Sequence, residues 1–321
     1  MAGIINKKKN EISNDLGLGT RDTGRRGVNK DGSFNVERTG IPKFRYYEIY
    51  HDLISMSWKK FILLVLLSYG FVNLLFAGIY YFIGMEHLSG IAENASESER
   101  FMEAFFFSSQ TLTTLGYGRI APVGALASSV AAIESMLGLL GFALATGLLY
   151  GRFSRPQARI LFSHNILVAP YRDHTGLMFR IVNQRSNQLI EVEAEVTLSY
   201  QEKGKNARSF AALGLERNRI NLFPLSWTVV HPINEESPFY GMSEKDLRET
   251  EAEIIILIKA FDDTFSQTVY SRSSYQMSEL VWGSKFLPMF SRAESGKTLV
   301  DLRLIDAMEK VQLPVNAKVL E

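Results

Sequence analysis

The sequence predicts an α-helical membrane domain of two spans with a re-entrant helix between them, followed by an all-β sandwich domain. Two runs, residues 61–83 and 123–151, are apolar and long enough to cross a bilayer. From residue 159 onward, short apolar stretches alternate with turn signals, which is typical of β-strands. These observations divide the 321 residues into a membrane part and a part with the character of a soluble protein.

The composition excludes several classes of protein. The chain has no cysteine, which excludes a disulfide scaffold and thiolate metal sites and suits a reducing cytosol. Its 35 Lys and Arg nearly balance its 34 Asp and Glu, so the net charge gives no sign of a nucleic-acid partner. No G-x-G-x-x-G follows a predicted strand, so we do not expect a nucleotide-binding domain.

The first 60 residues divide into a tail and a helix. Residues 1–43 are polar and lack the apolar core of a signal peptide, and we expect a disordered cytoplasmic tail. Residues 44–60 predict an amphipathic helix that lies in the membrane interface. Its apolar residues recur at helical spacing: Tyr47, Tyr50, Leu53, Ile54 and Trp58.

The two spans differ in character. Residues 61–83 carry no charge and would extend roughly 34 Å as a helix, enough to cross the hydrocarbon core. Residues 123–151 are rich in Gly and Ala, which lets membrane helices approach closely or bend. Glu134 is the only charged residue of that second run.

Basic residues indicate the orientation of the spans. Between the two spans only Arg100 and Arg119 are basic. The positive-inside rule therefore places both termini in the cytoplasm of a multi-pass inner-membrane protein. The basic residues before the first span and after the second are Lys43, Arg45, Lys59, Lys60, Arg152, Arg155 and Arg159.

A short helix is predicted between the spans. Residues 103–113 would make about three turns, too few to cross the membrane. The next residues, 114–118, would leave unpaired backbone groups at membrane depth, where each costs several kcal/mol in lipid. Such a segment must be buried in protein or line a wet path, so we predict a re-entrant loop within a membrane domain of residues 61–156.

The end of this loop, TTLGYG, resembles the selectivity filter of potassium channels. The resemblance implies that four copies of the loop replace the hydration shell of K⁺ with backbone carbonyls, so one loop per chain implies a homotetramer. Glycine permits the backbone angles that this arrangement requires. Tyr117 is expected to pack the loop against its pore helix, and Leu115 replaces the more usual Val or Ile. The filter residues are Thr114, Leu115, Gly116, Tyr117 and Gly118.

Further blocks resemble the prokaryotic inward-rectifier (Kir-type) potassium channel family, in the order that the family has them. The family implies an immunoglobulin-like β-sandwich over residues 157–305, and we expect a C-terminal tail over 306–321. It also implies passive, selective and voltage-independent K⁺ conduction, so we expect no enzyme and no cofactor. Gating is expected at the inner helix bundle, through the cytoplasmic domain and anionic lipids. The matching blocks are residues 47–58, 162–165, 227–240 and 272–283.

The second span holds three candidate pore or gate residues. Glu134, a lone carboxylate in a membrane helix, is expected near the inner cavity or in support of the filter, with a structural hydrogen bond as the alternative. Phe142 stands where many family members carry a residue that binds blocking Mg²⁺ or polyamines, so strong block there is not expected. Tyr150 is expected to close the path by dewetting, or else to be an interfacial tyrosine.

The resemblance also implies sites outside the spans. Glu191 and Asp263, with Asp262 as an alternative, are expected to line a cytoplasmic pore; the alternative is ordinary surface carboxylates. Because Gln110 replaces a Glu of many relatives, we expect Arg119 to lack its acidic partner. Candidate blockers are Ba²⁺, Mg²⁺ and polyamines. Five basic residues are candidates for binding anionic phospholipid headgroups; the alternative is that they only set the membrane topology. They are Lys59, Lys60, Arg152, Arg155 and Arg159.

Two other functions remain open from the sequence. Leu115 and Gln110 depart from the commonest filter pattern, which leaves room for a poorly selective cation channel. A membrane-anchored sensor or binding protein, with the β-domain as its working part, would predict no ion flux.

Overall fold

The computed structural model describes residues 26–37, 39–40, 48–92, 94–154, 158–201, 208–223, 225–249 and 252–314. The chain forms two compact units. One contains Gly40–Arg155, and the other contains Met1–Thr39 together with Pro156–Glu321.

The unit Gly40–Arg155 is helical, and we call it the membrane unit. Among the described residues, two of its helices, α2 and α4 below, are long and apolar enough to cross a membrane. Two short strands, β1 (Leu88–Ser89) and β2 (Ala121–Pro122), pair in antiparallel fashion between them. The helices are α1 (Ile49–Ser55), α2 (Trp58–Ile83), α3 (Glu97–Leu112) and α4 (Ala125–Phe153).

The helix bounds differ from the predicted ones for local reasons. Helix α3 begins well before residue 103 because Ser96 and Glu99 form a capping box, in which the Ser96 backbone N–H donates to Glu99 Oε2 at 2.8 Å. Helix α1 covers only part of the predicted range 44–60, because Met56 adopts an extended backbone and ends it. Residues 44–47 lie outside the described residues.

Helices α2, α3 and α4 pack on one another with little space between them. The rings of Tyr80 on α2 and Phe107 on α3 meet edge to face, with centroids 5.0 Å apart. On α4, a Cβ at Gly138 would lie 1.9 Å from the backbone oxygen of Leu112. Glycine at this position therefore lets the C-terminal end of α3 touch the backbone of α4, as the small-residue pattern predicts.

The second unit is a β-sandwich of two five-stranded sheets, which confirms the predicted all-β domain. In one sheet the order is β11–β10–β6–β7, with β8 also on β6; in the other it is β12–β4–β5–β3, with β9 also on β5. The strands are β3 (Ile160–Phe162), β4 (Ile166–Tyr171), β5 (His174–Asn183), β6 (Leu189–Gln201), β7 (Arg208–Ala212), β8 (Arg219–Leu222), β9 (Ser226–Ile233), β10 (Glu253–Asp262), β11 (Gln267–Gln276) and β12 (Leu280–Trp282).

The two sheets share one hydrophobic core. Along β6 and β10 the burial of side chains alternates, as expected for strands with one face on a core. Ile254, Ile256 and Ile258 of β10 are completely buried, and they face Ile166 and Ile181 of the opposite sheet. The apolar residues that alternate along these strands in the sequence are therefore the side chains that face the core of the sandwich.

Smaller elements complete the β-sandwich unit. Helix α5 (Glu244–Glu249) is preceded by Ser243, whose hydroxyl donates to Asp246 at 2.7 Å. Strand β16 (Met308–Lys310) pairs with β13 (Ser284–Phe286), so the chain after residue 305 is not simply a tail. A further hairpin joins β14 (Phe290–Arg292) and β15 (Thr298–Val300).

Residues 26–37, which we call the N-terminal strap, correct the prediction of a disordered tail over 1–43. Val28 is 1% exposed and forms a β-bridge with Phe34. The carboxylate of Glu253 accepts hydrogen bonds from the backbone N–H groups of Gly27 and Val28, at 2.8 and 3.1 Å. These partners lie more than 200 residues away in the sequence, so the local polar composition gave no sign of them.

Candidate functional site

The segment 114–118 is anchored to the last turn of α3. The backbone oxygen of Gln110 accepts hydrogen bonds from Leu115 N at 2.9 Å and from Gly116 N at 3.3 Å. Thr114 N donates to Thr111 O at 3.0 Å. The position of α3 therefore fixes the start of the segment.

The sign of φ alternates along this segment. Thr114, Gly116 and Gly118 have φ of 57°, 54° and 79°, and the two residues between them have negative φ. In this alternating conformation successive carbonyl groups can point to one side of the chain, whereas in a β-strand they point to alternate sides. A row of carbonyl dipoles on one side is the chemistry that can replace the water around a cation.

The side chains of the segment do not pack within the subunit as predicted. Tyr117 is 74% exposed and Leu115 is 55% exposed. The prediction that Tyr117 packs the loop against its own pore helix is therefore wrong for the isolated subunit. The exposed ring leaves an apolar surface for another chain to cover.

The residue after the segment has an acidic partner, contrary to our expectation. The guanidinium group of Arg119 forms an ion pair with Glu103, in the middle of α3. The sequence argument considered only position 110, where Gln110 cannot supply a charge. The backbone is also constrained here, since a Cβ on Gly90 would lie 1.8 Å from Arg119 O.

Glu134 is completely buried in the subunit, so it does not line a pore. Its carboxyl group is hydrogen-bonded to Tyr80 Oη at 2.7 Å and to Ser108 Oγ at 2.5 Å. Tyr80 lies on α2 and Ser108 on α3. Of the predicted alternatives, the geometry favours contact with the helix that carries the 114–118 segment over a place in the inner cavity.

Phe142 and Tyr150 lie on α4 and expose 73% and 74% of their surface in the subunit. Both therefore remain available to contact another chain, lipid or a water-filled path. Neither is used to hold the membrane unit together.

Arg152 has a different role from the predicted lipid contact. Its guanidinium group donates to the backbone oxygens of Leu53 at 2.6 Å and Met56 at 2.7 Å, at the end of α1. It also lies over the rings of Trp58 and Phe61, at 4.6 and 4.5 Å from their centroids. Arg152 thus fixes the junction of α1 and α2 against the end of α4.

The other predicted basic residues are placed separately. Lys59 and Lys60 are exposed in the first turn of α2. Arg159 is exposed in the β-sandwich unit, and Arg155 lies outside the described residues.

The predicted acidic residues of the β-sandwich lie at one end of the β6–β10 pair, where Leu189 is opposite Asp262. Glu191 is exposed and forms an ion pair with Arg219 at 3.1 Å, and Asp263 is exposed. Asp262 is completely buried and accepts hydrogen bonds from Asn187 Nδ2 at 2.6 Å and Thr264 N at 3.0 Å. The alternative that Asp262 lines a pore is therefore wrong.

Three residues near the segment escaped the sequence argument. Asn73 and Ser108 are completely buried between helices, and Glu103 pairs with Arg119. Asn73 carried a usable signal, because a polar side chain inside an uncharged span usually faces other protein. Ser108 and Glu103 carried none, since both are ordinary residues of a short helix.

Two sequence profiles match the chain. The profile described as the inward rectifier potassium channel transmembrane domain covers residues 28–156, and the C-terminal domain profile of the same channels covers residues 160–320. The chain belongs to the inward rectifier potassium channel family. The resemblance found in the sequence is thereby confirmed.

Individual relatives agree with the profiles. The inward rectifier potassium channel Kirbac3.1 of Paramagnetospirillum magnetotacticum is 38% identical over 279 residues, covering 86% of this chain and 92% of the relative. The ATP-sensitive inward rectifier potassium channel 12 of Gallus gallus is 29% identical, covering 82% of this chain and 66% of the relative. The G protein-activated inward rectifier potassium channel 2 of Rattus norvegicus is 28% identical over 321 residues.

Family membership establishes the general function. The chain is a subunit of a tetrameric, membrane-embedded K⁺ channel, not an enzyme, and K⁺ is its permeant ion rather than a cofactor. The described residues contain no cluster of His, Asp and Glu that could hold a metal ion. The 114–118 backbone, with its alternating φ, is the candidate ion-binding element of this inward rectifier channel.

Proposed function

We propose that four copies of this chain form a pore in which the backbone carbonyls of residues 114–118 bind K⁺ in single file. One observation carries the proposal: φ alternates in sign along TTLGYG, directly after a helix that holds the segment by Gln110 O. Carbonyls on one side of each chain would form successive oxygen rings around a common axis. Binding must replace the hydration shell of the ion and still allow its release.

The exposed side chains of the subunit support a homotetramer. The rings of Tyr117, Phe142 and Tyr150 are all more than 70% exposed. In an assembly, Tyr117 would pack against a neighbouring subunit and buttress the filter from outside. Phe142 would face the inner cavity, where an apolar ring offers no carboxylate to Mg²⁺ or polyamines, so rectification by block at this position is weak.

The gate is proposed at the inner end of α4. Four Tyr150 rings would narrow the path and close it by dewetting. Arg152 follows two residues later, and its hydrogen bonds to Leu53 O and Met56 O tie this end of α4 to α1. Movement of α1 would therefore move the gate.

The orientation and the lipid contacts belong to the same proposal. Both termini lie in the cytoplasm of an inner-membrane protein, as the basic flanks of the spans indicate. Lys59, Lys60, Arg155 and Arg159 would bind anionic phospholipid headgroups, while Arg152 is already engaged within the subunit. The carboxylates of Glu191 and Asp263 would attract cations to a cytoplasmic extension of the pore.

Flux into liposomes tests the proposal. Purified tetramers should take up ⁸⁶Rb⁺, K⁺ should compete far better than Na⁺, and Ba²⁺ should block. Equal competition by Na⁺ and K⁺ would select a poorly selective cation channel instead. Absence of Ba²⁺-sensitive uptake by intact tetramers would falsify conduction and favour a membrane-anchored sensor.

A further inference from the structure

A buried polar network joins the three helices of the membrane unit. Asn73 and Tyr80 come from α2, Ser108 from α3 and Glu134 from α4. Each of the four is at most 1% exposed. Polar side chains this deeply buried are hydrogen-bonded, so their protons can be counted.

The geometry fixes the orientation of Asn73. Its side-chain Nδ2 donates to the backbone oxygen of Tyr69 at 2.7 Å. The amide oxygen Oδ1 therefore points the other way, and it lies 3.2 Å from Ser108 Oγ. Rotating the amide by 180° would place its oxygen against the backbone oxygen of Tyr69, which are two acceptors with no proton between them.

Ser108 Oγ thus lies between two oxygens that both need a proton. Asn73 Oδ1 lies 3.2 Å away on one side, and Glu134 Oε1 lies 2.5 Å away on the other. A serine hydroxyl has one proton to donate. If Glu134 is ionised, the single proton of Ser108 can serve only one of these two buried oxygens, and the other faces a lone pair of Ser108 Oγ. An unsatisfied buried acceptor costs about 1–3 kcal/mol, and more if it is charged.

The surroundings do not stabilise an ionised carboxylate. Among the described residues, Glu134 forms no ion pair with a basic side chain. The charged residues of α2 are Lys59 and Lys60 in its first turn, and those of α3 end at Glu103. The hydrophobic cluster that contains Tyr80 also contains Phe76, Ala77 and Phe107.

We propose that Glu134 carries a proton, donates it to Ser108, and thereby acts as a positioning residue for the pore helix α3. Ser108 then donates to Asn73, and Tyr80 donates to the second oxygen of Glu134. The carboxyl proton and both hydroxyl protons then each have an acceptor, and Asn73 Oδ1 and Glu134 Oε2 each receive one. Because Gln110 O, two residues after Ser108, holds Leu115 and Gly116, the network sets the position of the filter. This inference rests on the proposed filter.

Infrared spectroscopy tests the protonation independently of conduction. Full-length tetramers in liposomes at pH 8 should show a carboxylic-acid C=O band that is absent from Glu134→Gln. The control Glu86→Gln removes an exposed carboxylate before α3 and should leave this band unchanged. If the wild-type minus Glu134→Gln spectrum shows loss of a carboxylate band instead, the proton assignment is wrong.

Flux measurements test the positioning role. Glutamine can accept from Tyr80 and donate to Ser108, as the protonated acid does, so Glu134→Gln should keep ⁸⁶Rb⁺ uptake and Ba²⁺ affinity within about twofold of wild type. Glu134→Leu leaves both partners unsatisfied and should lower Ba²⁺ affinity or uptake at least tenfold, in tetramers that remain intact. Ser129→Ala, at an exposed position on the same helix, should have no effect.

The outcomes separate the two claims. Equal loss of function in Glu134→Gln and Glu134→Leu would mean that the ionised carboxylate is required, and would overturn the proposal. Unchanged Ba²⁺ affinity and uptake in Glu134→Leu would overturn the positioning role. If the wild-type channel conducted without Ba²⁺ block, the filter proposal would fail while the infrared result would still decide the protonation.

Discussion

Thr114, Gly116 and Gly118 share a left-handed backbone, but only two of them are glycine. A non-glycine residue in this region costs roughly 1–3 kcal/mol, so surrounding contacts must hold Thr114 in place. The hydrogen bond from Thr114 N to Thr111 O is one such contact. Strain of this kind is compatible with a segment selected for the direction of its carbonyls.

Gly116→Ala should abolish ⁸⁶Rb⁺ uptake while the tetramer stays intact. A Cβ at this position meets no atom of the subunit within 4 Å, so the effect comes from φ, which is disfavoured for alanine by about 1–2 kcal/mol. The strained peptide can relax by turning a carbonyl away. Gly141→Ala, also in open space but helical, is the control. Normal uptake by Gly116→Ala would show that this segment is not the filter.

The ion pair between Glu103 and Arg119 predicts a charge-swap rescue. Glu103→Arg and Arg119→Glu should each weaken Ba²⁺ block, because each places like charges together beside the filter. The double swap should restore it to within about fivefold, since an exposed pair contributes at most about 1 kcal/mol. If the double swap behaves as badly as either single reversal, the two residues do not act as a pair.

Sequence reasoning about single residues was most specific where the backbone carries the chemistry. The motif at 114–118 was identifiable because it resembles the potassium-channel filter, and its glycines allow the positive φ that the segment has. Glu134 was identifiable as a lone carboxylate, but its partners Tyr80 and Ser108 depend on how three helices pack. The expectation that Arg119 lacks a partner failed because Glu103 reaches it from a distant turn of α3.

Helices α3 and α4 lie close together at the C-terminal end of α3. Gly138→Ala should displace α3, because a Cβ would lie 1.9 Å from Leu112 O in the last turn of that helix. Overpacking of this kind costs about 1–3 kcal/mol. We expect a lower melting temperature of the tetramer and reduced ⁸⁶Rb⁺ uptake. Gly147→Ala, which meets no atom within 4 Å, should change neither; equal effects in both variants would exclude this explanation.

Long helices and strands were easier to predict from the sequence than short ones. Residues 61–83 of α2 form an uncharged run, and burial alternates along β6 from Val192 to Leu198. The start of α3 was missed because its first turn is polar and resembles a loop, although Ser96 and Glu99 form a capping box. Strand β16 was missed because it has three residues and pairs with β13, from which the β14–β15 hairpin separates it.

The N-terminal strap connects parts of the molecule that are distant in sequence. Lys30 Nζ donates to His164 O at 2.8 Å and lies 3.6 Å from the centre of the Tyr275 ring. It also pairs with Glu279 at 3.4 Å. Burial lowers the pKa of Lys30 from 10.5 to about 8, although Glu279 acts in the opposite direction.

This shift predicts that the strap docks more tightly as the pH rises. Between about pH 8 and 10.5 the released lysine is protonated and the docked one is not, so release requires proton uptake. Competitive acetylation of folded tetramers should give Lys30 an apparent pKa near 8. The same measurement on unfolded chain should give 10.5. Lys30→Met should remove the pH dependence of strap protection against proteases in this range, and an unshifted Lys30 would refute the burial argument.

The strap also has a consequence for biosynthesis. Val28 lies 225 residues before Glu253, whose carboxylate holds it, and both membrane spans are made in between. At about 5–20 residues per second, the ribosome needs roughly 11–45 s after making Val28 to make Glu253, which is the hydrogen-bonding partner of Val28. The N-terminal strap is therefore made before the rest of the described chain but can dock only after the β-sandwich has been made. The rate of translation sets the length of this delay.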